Sequence, residues 1–125
     1  MIDHISIGVR DLERAKRFYD AVLGALGYRL LRTGQGTLGY GDDDATFWVV
    51  EAPRPIPPDK DSGLHICFTA PSKAAVAAFH RSAIAAGGED NGPPGYRPEY
   101  GPDYYAAFVI DPDGYRLEAY FGPRG

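Results

Sequence analysis

His4, His65 and Glu118 have side-chain types that together can bind a divalent metal. Imidazole and carboxylate suit Fe, Zn, Ni and Mn, and three protein ligands leave positions open for substrate. An open site of that kind polarises a carbonyl or enolate oxygen as a Lewis acid. Taken singly, a strand histidine is ordinarily hydrogen-bonded or solvated, and so is a strand glutamate. A repeat is what joins them. A shift of 61 residues lays His4 on His65, Ile5 on Ile66, Ile7 on Phe68 and Asp11 on Ser72, and continues through Phe18 on Phe79 to Gly27 on Gly88. The chain has only three histidines, so a histidine on a histidine inside one matching frame is informative.

The elements that must carry these residues follow from periodicity. Each repeat opens on an alternating strand. Ile5, Ile7 and Val9 point to one face, and His4, Ser6 and Gly8 to the other. In the second repeat Leu64, Ile66 and Phe68 oppose His65, Cys67 and Thr69. Asp11 and Ser72 then suit helix N-caps, because their side-chain oxygens accept orphan backbone N–H groups. Leu12, Ala15, Phe18, Tyr19, Val22, Leu23 and Leu26 form one apolar helical stripe, and Val76, Phe79, Ala83 and Ala86 a second. Gly27 and Gly87-Gly88 stand where the helices must end. Strands are predicted at 28–33, 37–40, 45–51, 104–110 and 115–121, with an irregular Gly- and Pro-rich stretch at 89–102. His80, beside Arg81 on the second helix, reads as a surface residue.

The last two strands form a hairpin around Asp111-Pro112-Asp113-Gly114. Pairing Asp111 with Gly114 sets Ala107 opposite Glu118 and Tyr105 opposite Tyr120. Glu118 then lies on the face away from the helices, as His4 and His65 do. In that register Tyr105 and Tyr120 are the phenols nearest Glu118 and both are candidate acids or bases, with Tyr105 and Glu118 the leading catalytic pair. Arg97 and Tyr100 lie in the irregular stretch, where a loop can cover a cavity, and Arg97 can hold an anion. Cys67 shares the face of His65 and is expected to be a partly buried thiol.

Composition narrows the alternatives. The formal charge of −4, without a basic stripe, excludes a nucleic-acid binder of the usual kind. No apolar run approaches the length of a membrane span. The opening residues lack the charged and apolar regions of a secretory leader. A lone cysteine excludes an intramolecular disulfide framework and fits a reducing compartment, the cytoplasm. The chain reads as one domain, 1–125, of modules 1–52 and 63–122 joined by a Pro-rich linker at 53–62.

The opening Asp3-His4-Ile5 with Asp11-Leu12 and Phe18-Tyr19, and the run from Phe108 through Asp111-Pro112-Asp113-Gly114 to Glu118, resemble the vicinal oxygen chelate superfamily. That superfamily holds glyoxalase I, extradiol dioxygenases, and fosfomycin and bleomycin resistance proteins. The resemblance covers nearly the whole chain and is nearest to small bacterial glyoxalase-like proteins of unassigned function. It implies an α+β fold of two βαβββ modules. Their mixed sheets curl around a central cavity with the helices outside, commonly in a homodimer. It implies one divalent metal per chain (Zn, Fe, Ni or Mn) on His4, His65 and Glu118, and a small substrate with vicinal oxygens. The implied activity is of lyase, isomerase or transferase type. An Fe(II) extradiol-type dioxygenase and a metal-free drug-binding protein like the bleomycin resistance proteins are the alternatives. Glyoxalase I-like members place a carboxylate at the symmetry mate of Glu118. Turn alignment puts that mate near Trp48 or Val49, where no metal ligand stands, and Glu51 comes two or three positions late. Trp48 is therefore expected to line the cavity, with Arg97, Tyr100, Tyr120 and Cys67 as further substrate contacts.

Overall fold

The computed structural model describes residues 1–56 and 59–123. Residues 57 and 58, inside the expected linker, and the last two residues of the expected domain lie outside the described part. The first half runs β1 (Ile5–Val9), α1 (Leu12–Ala25), β2 (Arg29–Gly34), β3 (Thr37–Gly41) and β4 (Ala45–Glu51). The second repeats that order as β5 (His65–Thr69), α2 (Lys73–Ala85), β6 (Glu89–Tyr96), β7 (Tyr105–Ile110) and β8 (Arg116–Phe121). The fold is α+β, with two four-stranded mixed sheets ordered β1-β4-β3-β2 and β5-β8-β7-β6. β1 pairs parallel with β4, and β5 with β8, and the other pairs are antiparallel.

Both helices start where a side-chain acceptor is available. Asp11 accepts from the backbone N–H of Arg14 at 3.1 Å, and Ser72 from that of Ala75 at 3.0 Å. Gly27 and Gly87, at φ of 91° and 98°, take the left-handed conformation that ends them. The stripes of α1 and α2 pack on their sheets and on each other. Phe18, Tyr19, Val22, Leu23, Val76, Phe79 and Ala83 are buried there with Val49, Val109 and Leu117. Each full burial of a large apolar side chain contributes about 1.5–3 kcal/mol. Buried polar bonds cross between the halves. Tyr19 Oη donates to Asp111 Oδ2, and Tyr115 Oη donates to the carbonyl of Gly8 at 2.6 Å.

Three expectations need correction. The stretch at 89–102 is not irregular throughout, because 89–96 forms β6, an edge strand on β7. Proline survives there because the ladder shifts register between Gly92 and Gly95, where no N–H is required of Pro93 or Pro94. His80 is only partly a surface residue. Its side chain is 16% exposed, and its Nε2 lies 2.8 Å from Asp90 Oδ1. That bond first, and the N–H of Gly92 second, hold the Asp90 carboxyl below its usual range.

The third correction concerns the β7–β8 hairpin. Asp111 pairs with Tyr115 rather than Gly114: the Asp111 N–H donates to the Tyr115 carbonyl at 2.9 Å. The loop therefore has three residues, with Gly114 left-handed at φ 102°. Asp111 Oδ1 accepts from the N–H groups of Asp113 and Tyr115 at 2.9 and 2.8 Å and fixes the turn. One extra loop residue moves the register by one. Phe108 now faces Glu118, and Ala106 faces Tyr120. Glu118 still lies on the face away from α2, while Ala107, Val109, Leu117 and Ala119 enter the core.

Candidate functional site

β5 and β8 lie side by side and present His65 and Glu118 on one open face. Cys67 is the register partner of Glu118, and His65 that of Arg116. The Glu118 side chain is 3% exposed and that of His65 is 41% exposed, and His65 Nε2 stands 2.9 Å from Glu118 Oε1. The other oxygen of Glu118, Oε2, accepts from the phenol of Tyr104 at 2.5 Å. Burial, and after it the bond to Glu118, push the Tyr104 hydroxyl above its ordinary range, so it remains a donor. The Tyr104 ring packs on Tyr120 with centroids 4.1 Å apart and meets Tyr100 edge-on at 5.4 Å. On the other side of Glu118, Phe108 stacks with His65 at 5.9 Å, and the Arg97 guanidinium carbon stands 5.3 Å from the Phe108 ring centre.

Each candidate named from the sequence has a definite place. His65 and Glu118 come together. His4 does not join them within one chain. It stands just before β1 on the other sheet, half-exposed, with Nδ1 2.7 Å from Asp3 Oδ1. Among the described residues no group of three His, Cys, Asp or Glu is arranged to hold a metal. Tyr105 is not the phenol beside Glu118. The register shift turns it to the helix side, where it packs edge-on against Tyr96 and near the Lys73 amine. Tyr104 takes that place, and a three-residue reading of the Asp-Pro-Asp-Gly turn would have found it. Tyr120 is buried, and its hydroxyl donates to the Pro123 carbonyl at 3.2 Å. Arg97 donates to the Pro93 carbonyl at 2.6 Å across the edge of the sheet. Tyr100 is 63% exposed, in a turn that returns the chain to β7, with its ring against Tyr104. Cys67 is exposed rather than partly buried.

The first sheet shows what stands at the mate of Glu118. Ser6, which the repeat lays on Cys67, has Trp48 as its register partner, so Trp48 occupies the position equivalent to Glu118. Its indole lies over Gly39 on β3. A Cβ at 39 would stand 2.8 Å from the ring, so glycine is what lets the indole lie flat. Glu51 is three positions further on, exposed, and its backbone N–H donates to Gly36.

The model of the Glyoxalase/Bleomycin resistance protein/Dioxygenase superfamily matches residues 1–119. The chain belongs to that superfamily. A glyoxalase/bleomycin resistance protein from Albidiferax ferrireducens T118 is 34% identical, with TM-score 0.85 over 94% of this chain and 96% of that one. A glyoxalase-related enzyme from Fulvimarina pelagi is 20% identical, with TM-score 0.75 over 100% of this chain and 92% of that one. The fosfomycin resistance protein FosX of Mesorhizobium loti is 19% identical, with TM-score 0.70 over 98% and 92%. The last two likenesses show the shared fold. No curated protein matches the chain at a significant level. No helix among the described residues is long and apolar enough to cross a membrane.

For a member of this superfamily the donor atoms present can be tested against a metal. Ligand bonds of about 2.0–2.2 Å at a right angle place neighbouring donors about 3 Å apart. His65 Nε2 and Glu118 Oε1 are 2.9 Å apart, so this pair fits two adjacent positions of one ion. A third protein ligand has to come from outside the pair.

Proposed function

We propose that this protein is a glyoxalase-like, metal-dependent enzyme acting on a small substrate with vicinal oxygens. His65 and Glu118 of one chain and His4 of a second copy would hold the metal. The observation that carries this reading is the His65–Glu118 donor pair at 2.9 Å, with the His65 imidazole 41% exposed. The absence of His4 from that pair within the chain favours a homodimer in which the first sheet of one copy faces the second sheet of the other. β1 and β5 are edge strands, each paired on one side only, and the exposed Ile5 and Leu64 at their starts are compatible with that contact.

A divalent ion held there would supply Lewis-acid stabilisation to the anion formed from a hydroxyketone, hemithioacetal, catechol or phosphonate. The residues of this chain supply the rest. Phe108 and Trp48 offer apolar walls, and Arg97 offers a cation to an anionic substituent. With Trp48 at the mate of Glu118, the chain has no second carboxylate for the proton transfer of glyoxalase I, so the reading commits to a site of three protein ligands. An iron-loaded site would make an extradiol-type dioxygenase the reading. One observation favours a metal-free binder of aromatic ligands instead: among the described residues of one chain no three-residue metal group is assembled. The single cysteine thiol suits a reducing compartment such as the cytoplasm.

The test is metal content by mass spectrometry on untagged protein, beside His4→Ala, His65→Ala and Glu118→Ala. Near-stoichiometric metal, lost in all three variants, is the expected result. Mixing unfolded His4→Ala and His65→Ala chains and refolding them together should restore about one metal per mixed dimer, because one of its two sites is then intact. No metal after incubation with Fe(II), Zn(II), Ni(II) and Mn(II) would sink the enzyme reading and leave the binder.

A further inference from the structure

We propose that Tyr104 is a positioning residue that commits Glu118 to binding metal through one oxygen, Oε1. The proposal rests on the metal reading above and adds a residue and a denticity to it. A glutamate has three side-chain torsions and two equivalent oxygens, so an unrestrained carboxylate can turn or bind through both. Here Oε2 is taken by the Tyr104 hydroxyl at 2.5 Å, and only Oε1 faces His65 Nε2. Tyr104 is itself held from several sides. Its ring is packed between Tyr120 and Tyr100. Its N–H donates to the Gly101 carbonyl at 3.3 Å, and its carbonyl accepts from the Arg97 N–H at 2.8 Å. A donor on so fixed a ring loses little freedom in holding the carboxylate. A partner that orients a metal-ligating carboxylate changes metal affinity by about 10- to 100-fold when it is removed.

Metal-free wild type, Tyr104→Phe and Tyr105→Phe are titrated with Zn(II) against a chromophoric chelator, and their melting is recorded without metal. The expected result is a Tyr104→Phe dissociation constant about 10- to 100-fold weaker than wild type. Tyr105→Phe, on the opposite face, should stay within about twofold by the same reasoning. A folded Tyr104→Phe that binds Zn(II) as wild type does overturns the proposal and leaves the metal reading intact. Wild type that binds no metal overturns both. Infrared difference spectra of Zn(II)-loaded wild type against Glu118→Gln give an independent readout that does not need the Tyr104 variant to fold. Widely split carboxylate stretches mark one-oxygen binding and support the proposal. Narrowly split stretches, from both oxygens on the metal, overturn it.

Discussion

Replacing Asp111 by Asn should abolish a pH dependence of folding that this one carboxyl creates. Asp111 is 4% exposed, beneath the hairpin turn and against α1. Its oxygens accept from Tyr19 Oη and from the N–H groups of Asp113 and Tyr115. Burial is the largest influence and outweighs those bonds. With the nearby Asp113 charge it raises the carboxyl from 3.8 to about 6. The folded chain therefore holds the proton more tightly than the unfolded chain. The resulting stability is complete below the unfolded value of 3.8 and is lost as pH rises through about 6. At about 1.4 kcal/mol per unit, the shift amounts to about 3 kcal/mol in full, of which about 2.5 kcal/mol falls between pH 4 and 7. Asn keeps an acceptor for the two N–H groups and turns an NH2 toward Tyr19, whose oxygen can accept. Urea unfolding followed through the single tryptophan, Trp48, gives the stability of both proteins at each pH. Wild type should lose about 2.5 kcal/mol relative to Asp111→Asn between pH 4 and 7, and almost nothing further above pH 7. Parallel stability curves would refute the argument that burial dominates.

Two further perturbations test packing that the backbone dictates. A Cβ at Gly41 would meet the Asp44 carbonyl oxygen at 1.8 Å, while one at Gly24 in α1 meets nothing within 4 Å. Gly41→Ala should cost more than about 2 kcal/mol in urea unfolding, and Gly24→Ala should gain about 0.5–1 kcal/mol. Tyr115→Phe deletes the 2.6 Å bond from Tyr115 Oη to the Gly8 carbonyl that ties the halves together. It should cost about 1 kcal/mol in the same assay.

The helices and the strand before each were legible because every local signal there agrees. Asp11 and Ser72 cap, Phe18 and Phe79 fall on the apolar stripes of α1 and α2, and Gly27 and Gly87 stop the helices. β6 was not legible, because Gly92, Pro93, Pro94 and Gly95 contradict any strand propensity. What makes it a strand is the exposed edge of β7, a tertiary partner that its own sequence does not announce. His80 was misjudged for the same kind of reason. Its charged neighbours on α2 suggest solvent, while the covering group, Asp90, comes from β6.

The site divides along a different line. Glu118 and His65 were legible because strand alternation alone places both on the face away from α2, whichever register the hairpin takes. Tyr104 and Tyr105 are adjacent, so a single residue of turn length decides which of them reaches Glu118. The Asp111 side chain makes that decision by binding the Tyr115 N–H, a bond that composition does not reveal. Trp48 was narrowed to two positions by turn alignment, and the β1–β4 register selects it. His4 marks the limit of what periodicity can say. The repeat gives it the same type and strand position as His65. Yet equivalent positions on two sheets meet only if those sheets face each other, and within one chain α1 and α2 pack together instead. On the proposed reading, the symmetry that makes His4 visible as a ligand would therefore also call for a second copy to use it.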